Sequence, residues 1–73
     1  MADEAIRAVK ARHERALMRL PGVVSVGIGL SEDGRLAIIV GLDGPRPETR
    51  ESLPEALEGF PLELREVGTP RAE

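Results

Sequence analysis

Leu20-Pro21-Gly22-Val23-Val24-Ser25-Val26-Gly27-Ile28-Gly29-Leu30 alternates branched apolar side chains with residues that carry almost none. A strand with this pattern turns Val24, Val26, Ile28 and Leu30 to one face and Ser25, Gly27 and Gly29 to the other. The first face suits a layer of helices. The second lets another backbone come close, because glycine leaves no side chain in the way. The stretch therefore speaks of contact between surfaces and not of chemistry.

On its N-terminal side, Asp3 can cap a helix continuing to about Arg19, with Glu4 in its first turn and Arg15 and Arg19 in its last, each favourable to the helix dipole. At about 100° per residue Ala5, Ile6, Val9, His13, Ala16, Leu17 and Leu20 share one face. Pro21-Gly22 ends the helix. On its C-terminal side, Ser31-Glu32-Asp33-Gly34 makes a tight connection to a second strand over 35–42. There Leu36, Ile38, Val40 and Leu42 oppose Ala37, Ile39 and Gly41.

Residues 43–47 read as a stiff linker. Ser52-Leu53-Pro54-Glu55 then reads as a capping box opening a short helix that buries Leu53, Ala56 and Leu57 and closes at Gly59. A third strand over 61–67 turns Leu62 and Leu64 to the core and Glu63 and Arg65 away, and 68–73 reads as a loose tail.

The order predicts one α+β domain of 73 residues: a two-layer α-β-β-α-β sandwich with both helices on one face of a three-stranded, mainly antiparallel sheet. It resembles a ferredoxin-like unit lacking its first strand. A right-handed crossover would set the strand of 61–67 beside that of 23–30, giving the order 2-1-3. The uncovered face would show Val23, Ser25, Gly27, Gly29, Ala37, Ile39, Gly41, Glu63, Arg65 and Val67. Of these Ser25, Gly27, Gly29, Ala37, Ile39, Gly41 and Val67 form the candidate interaction face, too apolar at its centre for an ordinary wet surface.

Composition narrows function by exclusion. With no cysteine and one histidine, thiolate metal sites, disulfides and cysteine nucleophiles are out. The net charge of −3 and a single aromatic, Phe60, argue against nucleic acid as a partner. Residues 1–22 hold five bases against three acids and residues 48–73 three against seven, so the basic first helix is expected to face the acidic C-terminal part, in the same chain or a partner. Arg12, Arg15 and Arg19 form a stripe that reads either as an anion contact or as a solvated, paired flank. The apolar runs fall short of the ~20 residues of a bilayer span and the N-terminus does not resemble a leader, so a soluble, cytoplasmic chain without a membrane partner is expected.

No catalytic constellation emerges. Gly27-Ile28-Gly29 with Gly34 has the wrong spacing for a dinucleotide loop and precedes a hairpin instead of a helix. The Leu-Pro-Gly-Val opening resembles heavy-metal-associated domains, whose metal-binding cysteine pair is missing. His13 reads as a packed, satisfied core histidine. Ser25, Ser31, Ser52, Thr49 and Thr69 are the hydroxyls a catalytic reading would need, and Ser25 should lie on the wrong side of the sheet from His13. Glu63 and Glu66 with Arg65 read as surface charges.

The run 20–29 quoted above, with Ala37-Ile38-Ile39-Val40, Leu53-Pro54, Gly59-Phe60-Pro61-Leu62 and Val67-Gly68, resembles a small bacterial module. That module precedes trypsin-like protease domains in some bacterial proteins and is also found alone. The resemblance implies an accessory scaffold and transfers no functional residue. The expectation is thus a non-enzymatic interaction module without cofactor, metal or small-molecule ligand, acting as a homo-oligomer, in first place a dimer, or with a protein partner. The alternative is a propeptide-like or regulatory domain acting on a protease.

Overall fold

The computed structural model describes residues 2–67, with side chains from Glu4 onward, so the expected tail at 68–73 lies outside the described residues. The first helix, α1 (Ala2–Met18), buries Ile6, Val9 and Leu17. Two strands follow, β1 (Val23–Leu30) and β2 (Leu36–Leu42), then a short helix α2 (Pro47–Ser52), a two-residue strand β3 (Ala56–Leu57) and β4 (Phe60–Glu66).

The α+β class and the β1–β2 hairpin are as expected. The hairpin turn is a type I turn with a glycine bulge: the Gly34 amide donates to the Ser31 carbonyl at 2.9 Å, the Ser31 amide to the Arg35 carbonyl at 2.8 Å, and Gly34 has φ 83°.

The sheet differs from expectation in strand number, order and direction. It has four strands in the order β1-β2-β4-β3, and β4 runs parallel to β2, pairing Ile38 with Leu62 and Val40 with Leu64. β1, expected at the centre, is an edge strand. The connection over 43–59 is long enough for a parallel crossover, which a tight hairpin could not provide. β2 therefore takes the interior place, and Ala37, Ile38, Val40 and Leu42 are all at 0% exposure.

The second helix also lies earlier than expected, at 47–52 instead of 52–58. Pro47 opens it, and Pro54 excludes helical geometry from the residue before it, so Leu53 is extended at φ −91° and ψ 141°. Ser52 is at the end of the helix, its hydroxyl donating to the Thr49 carbonyl at 2.8 Å. Gly59 likewise does not close a helix. Glu58 and Gly59, with φ 48° and 90°, make the two-residue turn of the β3–β4 hairpin, in which Leu57 pairs with Phe60.

α2 is tied to the start of the sheet by Thr49, whose side chain is buried and donates to the Pro21 carbonyl at 2.6 Å. A bulge in β1 between Val23 and Ser25 re-aims the strand. Val23 consequently joins the core and not the uncovered face, while Ile28 and Leu30 stay 38% and 58% exposed. Ala5 and Ala16 are exposed as well, so the buried stripe of α1 is narrower than the sequence suggested.

Candidate functional site

On the sheet face opposite the core, Ser25 stands across from Gly41, Gly27 from Ile39 and Gly29 from Ala37. This face is less bare than expected. A Cβ at Gly29 would lie 3.0 Å from Ile39 Cγ1, and one at Gly41 would overlap the Ser25 hydroxyl and lie 3.2 Å from Val67 Cγ2. Neighbouring side chains thus occupy the room these glycines leave, and Gly41 and Ala37 are buried. Only at Gly27 does the space stay open. Ile39 is half-buried and Val67 57% exposed. From β4, two strands away, Arg65 donates to the Leu30 carbonyl at 3.2 Å.

The edge of β1 is the more open feature. The Ser31 amide bonds to Arg35, so Ser31 turns its backbone inward to β2. Alternation along an antiparallel ladder then turns Gly29, Gly27 and Ser25 inward too, and points the N–H and C=O groups of Leu30, Ile28 and Val26 away from the sheet. The Val67 amide on the Leu42 carbonyl, at 2.8 Å, fits the same alternation, since even-numbered residues of β2 then face β4.

Among the described residues β1 pairs with β2 alone. It carries no charged residue and no proline, two of the devices by which edges are usually guarded.

A charged cluster joins α1 to the β3–β4 turn. Glu58 accepts from Arg12 Nε at 3.1 Å and from Arg12 Nη2 at 2.6 Å, and lies 3.0 Å from His13 Nε2. His13 is therefore not a core residue. Its side chain is 36% exposed, at the rim of the apolar stripe, and its partner is a carboxylate 45 residues on. The expected pairing of the basic helix with C-terminal acids takes this form, and Arg12 is drawn out of the stripe it would share with Arg15 and Arg19.

The Arg12 guanidinium, and after it His13, holds the Glu58 carboxyl below its ordinary value of 4.5, while Glu58 raises Arg12. A lowered folded-state value stabilises the fold above the ordinary value, and that contribution is lost as pH falls through the folded one. Glu58→Gln should lower the thermal midpoint at pH 7, and the gap to the parent should close below about pH 4.5. A gap constant from pH 7 to about pH 2 would exclude this pairing as its source.

The hydroxyls are placed elsewhere. Ser31 bonds to Asp33 and the Arg35 amide in the hairpin turn, Thr49 and Ser52 serve α2, and Ser25 lies beyond the sheet from α1. Thr69 is outside the described residues. Neither a nucleophile nor a second carboxylate accompanies His13 and Glu58 among the bonds described. Glu63 is half-buried opposite Ile39, while Glu66 faces Arg50 at 3.6 Å. Within the described residues no three metal-ligating side chains cluster, and no helix is long and apolar enough to cross a membrane.

The edge was legible only in part: the sequence gives β1 its lack of charge, but its place in the sheet follows from the β2–β4 pairing. Compared with protein-family models, with curated proteins and with solved structures, the chain matches none.

Proposed function

We propose that the protein is a non-enzymatic interaction module whose working surface is the outer edge of β1, where a partner strand adds to the sheet. The observation that carries this reading is an eight-residue edge strand without a charge or a proline. Main-chain groups of Val26 and Ile28 supply the bonding, and the half-exposed Ile28 and Leu30 supply apolar contact beside it. On the opposite side of the strand Gly27 leaves open space at the middle of the edge, while Ile39 fills the room at Gly29. The open face with Ile39 and Val67 borders this edge and serves as its margin.

The test uses a generic strand, a lysine-flanked valine–threonine repeat peptide, titrated into isotope-labelled protein. The amides of Val26, Ile28 and Leu30 should shift and exchange more slowly with solvent, and Ile28→Lys should abolish the effect. Shifts confined to Ile39, Arg65 and Val67 would move the site to the sheet face and overturn the edge reading. Silence at millimolar peptide, in protein that is monomeric by light scattering, would overturn it too.

A further inference from the structure

Resting on the edge reading, we infer that the strand added to β1 is β1 of a second copy, antiparallel, with the twofold axis passing through Ile28. Self-pairing suits this strand because β1 has no charge to repel its own image. The outward alternation at Val26, Ile28 and Leu30 restricts the register, since bonding residues must meet bonding residues.

An axis at Ile28 pairs Ile28 with its copy and Val26 with Leu30 of the other copy, giving up to about six backbone hydrogen bonds. An axis at Gly27 gives about four, because its outermost pairs would need Val24, which lies in the bulge. The Ile28 register also covers the two exposed apolar side chains of the strand with apolar neighbours. The Leu30 carbonyl, already bonded to Arg65, keeps a second lone pair for the new strand.

The helix layer is compatible with this arrangement. Arg12 and His13 reach Glu58 at the β3–β4 turn, so the opposite flank of α1, with Lys10 and Glu14, lies toward β1. Those two side chains form an ion pair along the helix. That pair cancels its own charge, and Arg7 on the same flank is an exposed, long side chain that can carry its charge out to solvent. A twofold contact of this kind is isologous: the same residues serve on both sides.

The chain contains no cysteine, so a single introduced cysteine reports one position cleanly. Ile28→Cys should form a disulfide-linked dimer under mild oxidation at least about tenfold faster than Ala11→Cys, which joins only by collision. Gly27→Cys should fall between them or lower. Leu30→Lys, at a site already 58% exposed, should stay folded and weaken the dimer measured by light scattering about tenfold or more.

Faster linking through Gly27→Cys than through Ile28→Cys would overturn the register. Monomeric mass throughout, with no variant linking above the control, would overturn the second copy as partner. In that event the peptide titration still decides the edge reading by itself: shifts at Val26 and Ile28 keep it, and silence removes both.

Discussion

Truncating Ile38 to alanine is expected to cost about 2–5 kcal/mol, out of a total that for a chain of this size is about 4–11 kcal/mol. Ile38 is at 0% exposure on the central strand, paired with Ile28 on one side and Leu62 on the other. Its removal leaves a cavity under α1 that a sheet bonded on both sides cannot close by collapsing. In urea denaturation the midpoint should fall by a large fraction. Ile38→Val, which deletes one methyl group, should cost about 0.5–1.5 kcal/mol. Truncating Leu30, already 58% exposed at the sheet edge, should move the monomer far less. Equal losses at Ile38 and Leu30 would contradict the central place of β2.

The second large effect is expected at Gly22, where two separate causes act on one atom. Gly22 has φ 82°, a conformation that costs other residues about 1–3 kcal/mol. An added Cβ would also lie 2.5 Å from Arg46 Nε and 2.7 Å from its Cδ. Arg46 is held there by Asp43, with contacts of 2.9 Å and 2.8 Å, and the Asp43 amide donates to the Gly22 carbonyl at 2.8 Å.

Gly22→Ala should therefore destabilise through backbone strain and through displacement of Arg46. Made in an Arg46→Ala background, the same change should cost less, with only the backbone part remaining, and the difference is the coupling energy of a double-mutant cycle. Equal costs in both backgrounds would assign the whole effect to the backbone.

α1 and the hairpin were legible because their signals are local: a period of 3.6 up to Pro21-Gly22, and two alternating runs about a glycine turn. The strand order is not, because both runs carry the alternation of a hairpin strand. They differ in one respect that bears on position. β2 is apolar on both faces from Leu36 to Val40, whereas β1 alternates with serine and glycine. Unbroken apolar runs belong to strands enclosed on both sides and bonded to two neighbours.

Pro54 bars the second helix from its expected place, since the residue before a proline avoids helical geometry, and this outweighs the apparent capping box at Ser52. The pairing of His13 with Glu58 had no local signal at all. Helical periodicity places His13 near the apolar stripe, but a turn 45 residues away supplies its partner. The candidate face rests on its glycines, and a missing side chain does not reveal which neighbour fills the room.

The two borders of the sheet are unlike each other. β3 is only two residues long, and the part of β4 beyond it carries Glu63, Arg65 and Glu66. Such a border discourages further strands, while the border of β1 invites one. In the proposed assembly each copy has one adhesive side and one inert side, so joining two copies consumes both adhesive sides at once. Growth ends there: added protein makes more pairs, never longer ribbons, and an uncharged strand that would be an aggregation hazard on a two-sided sheet becomes self-limiting.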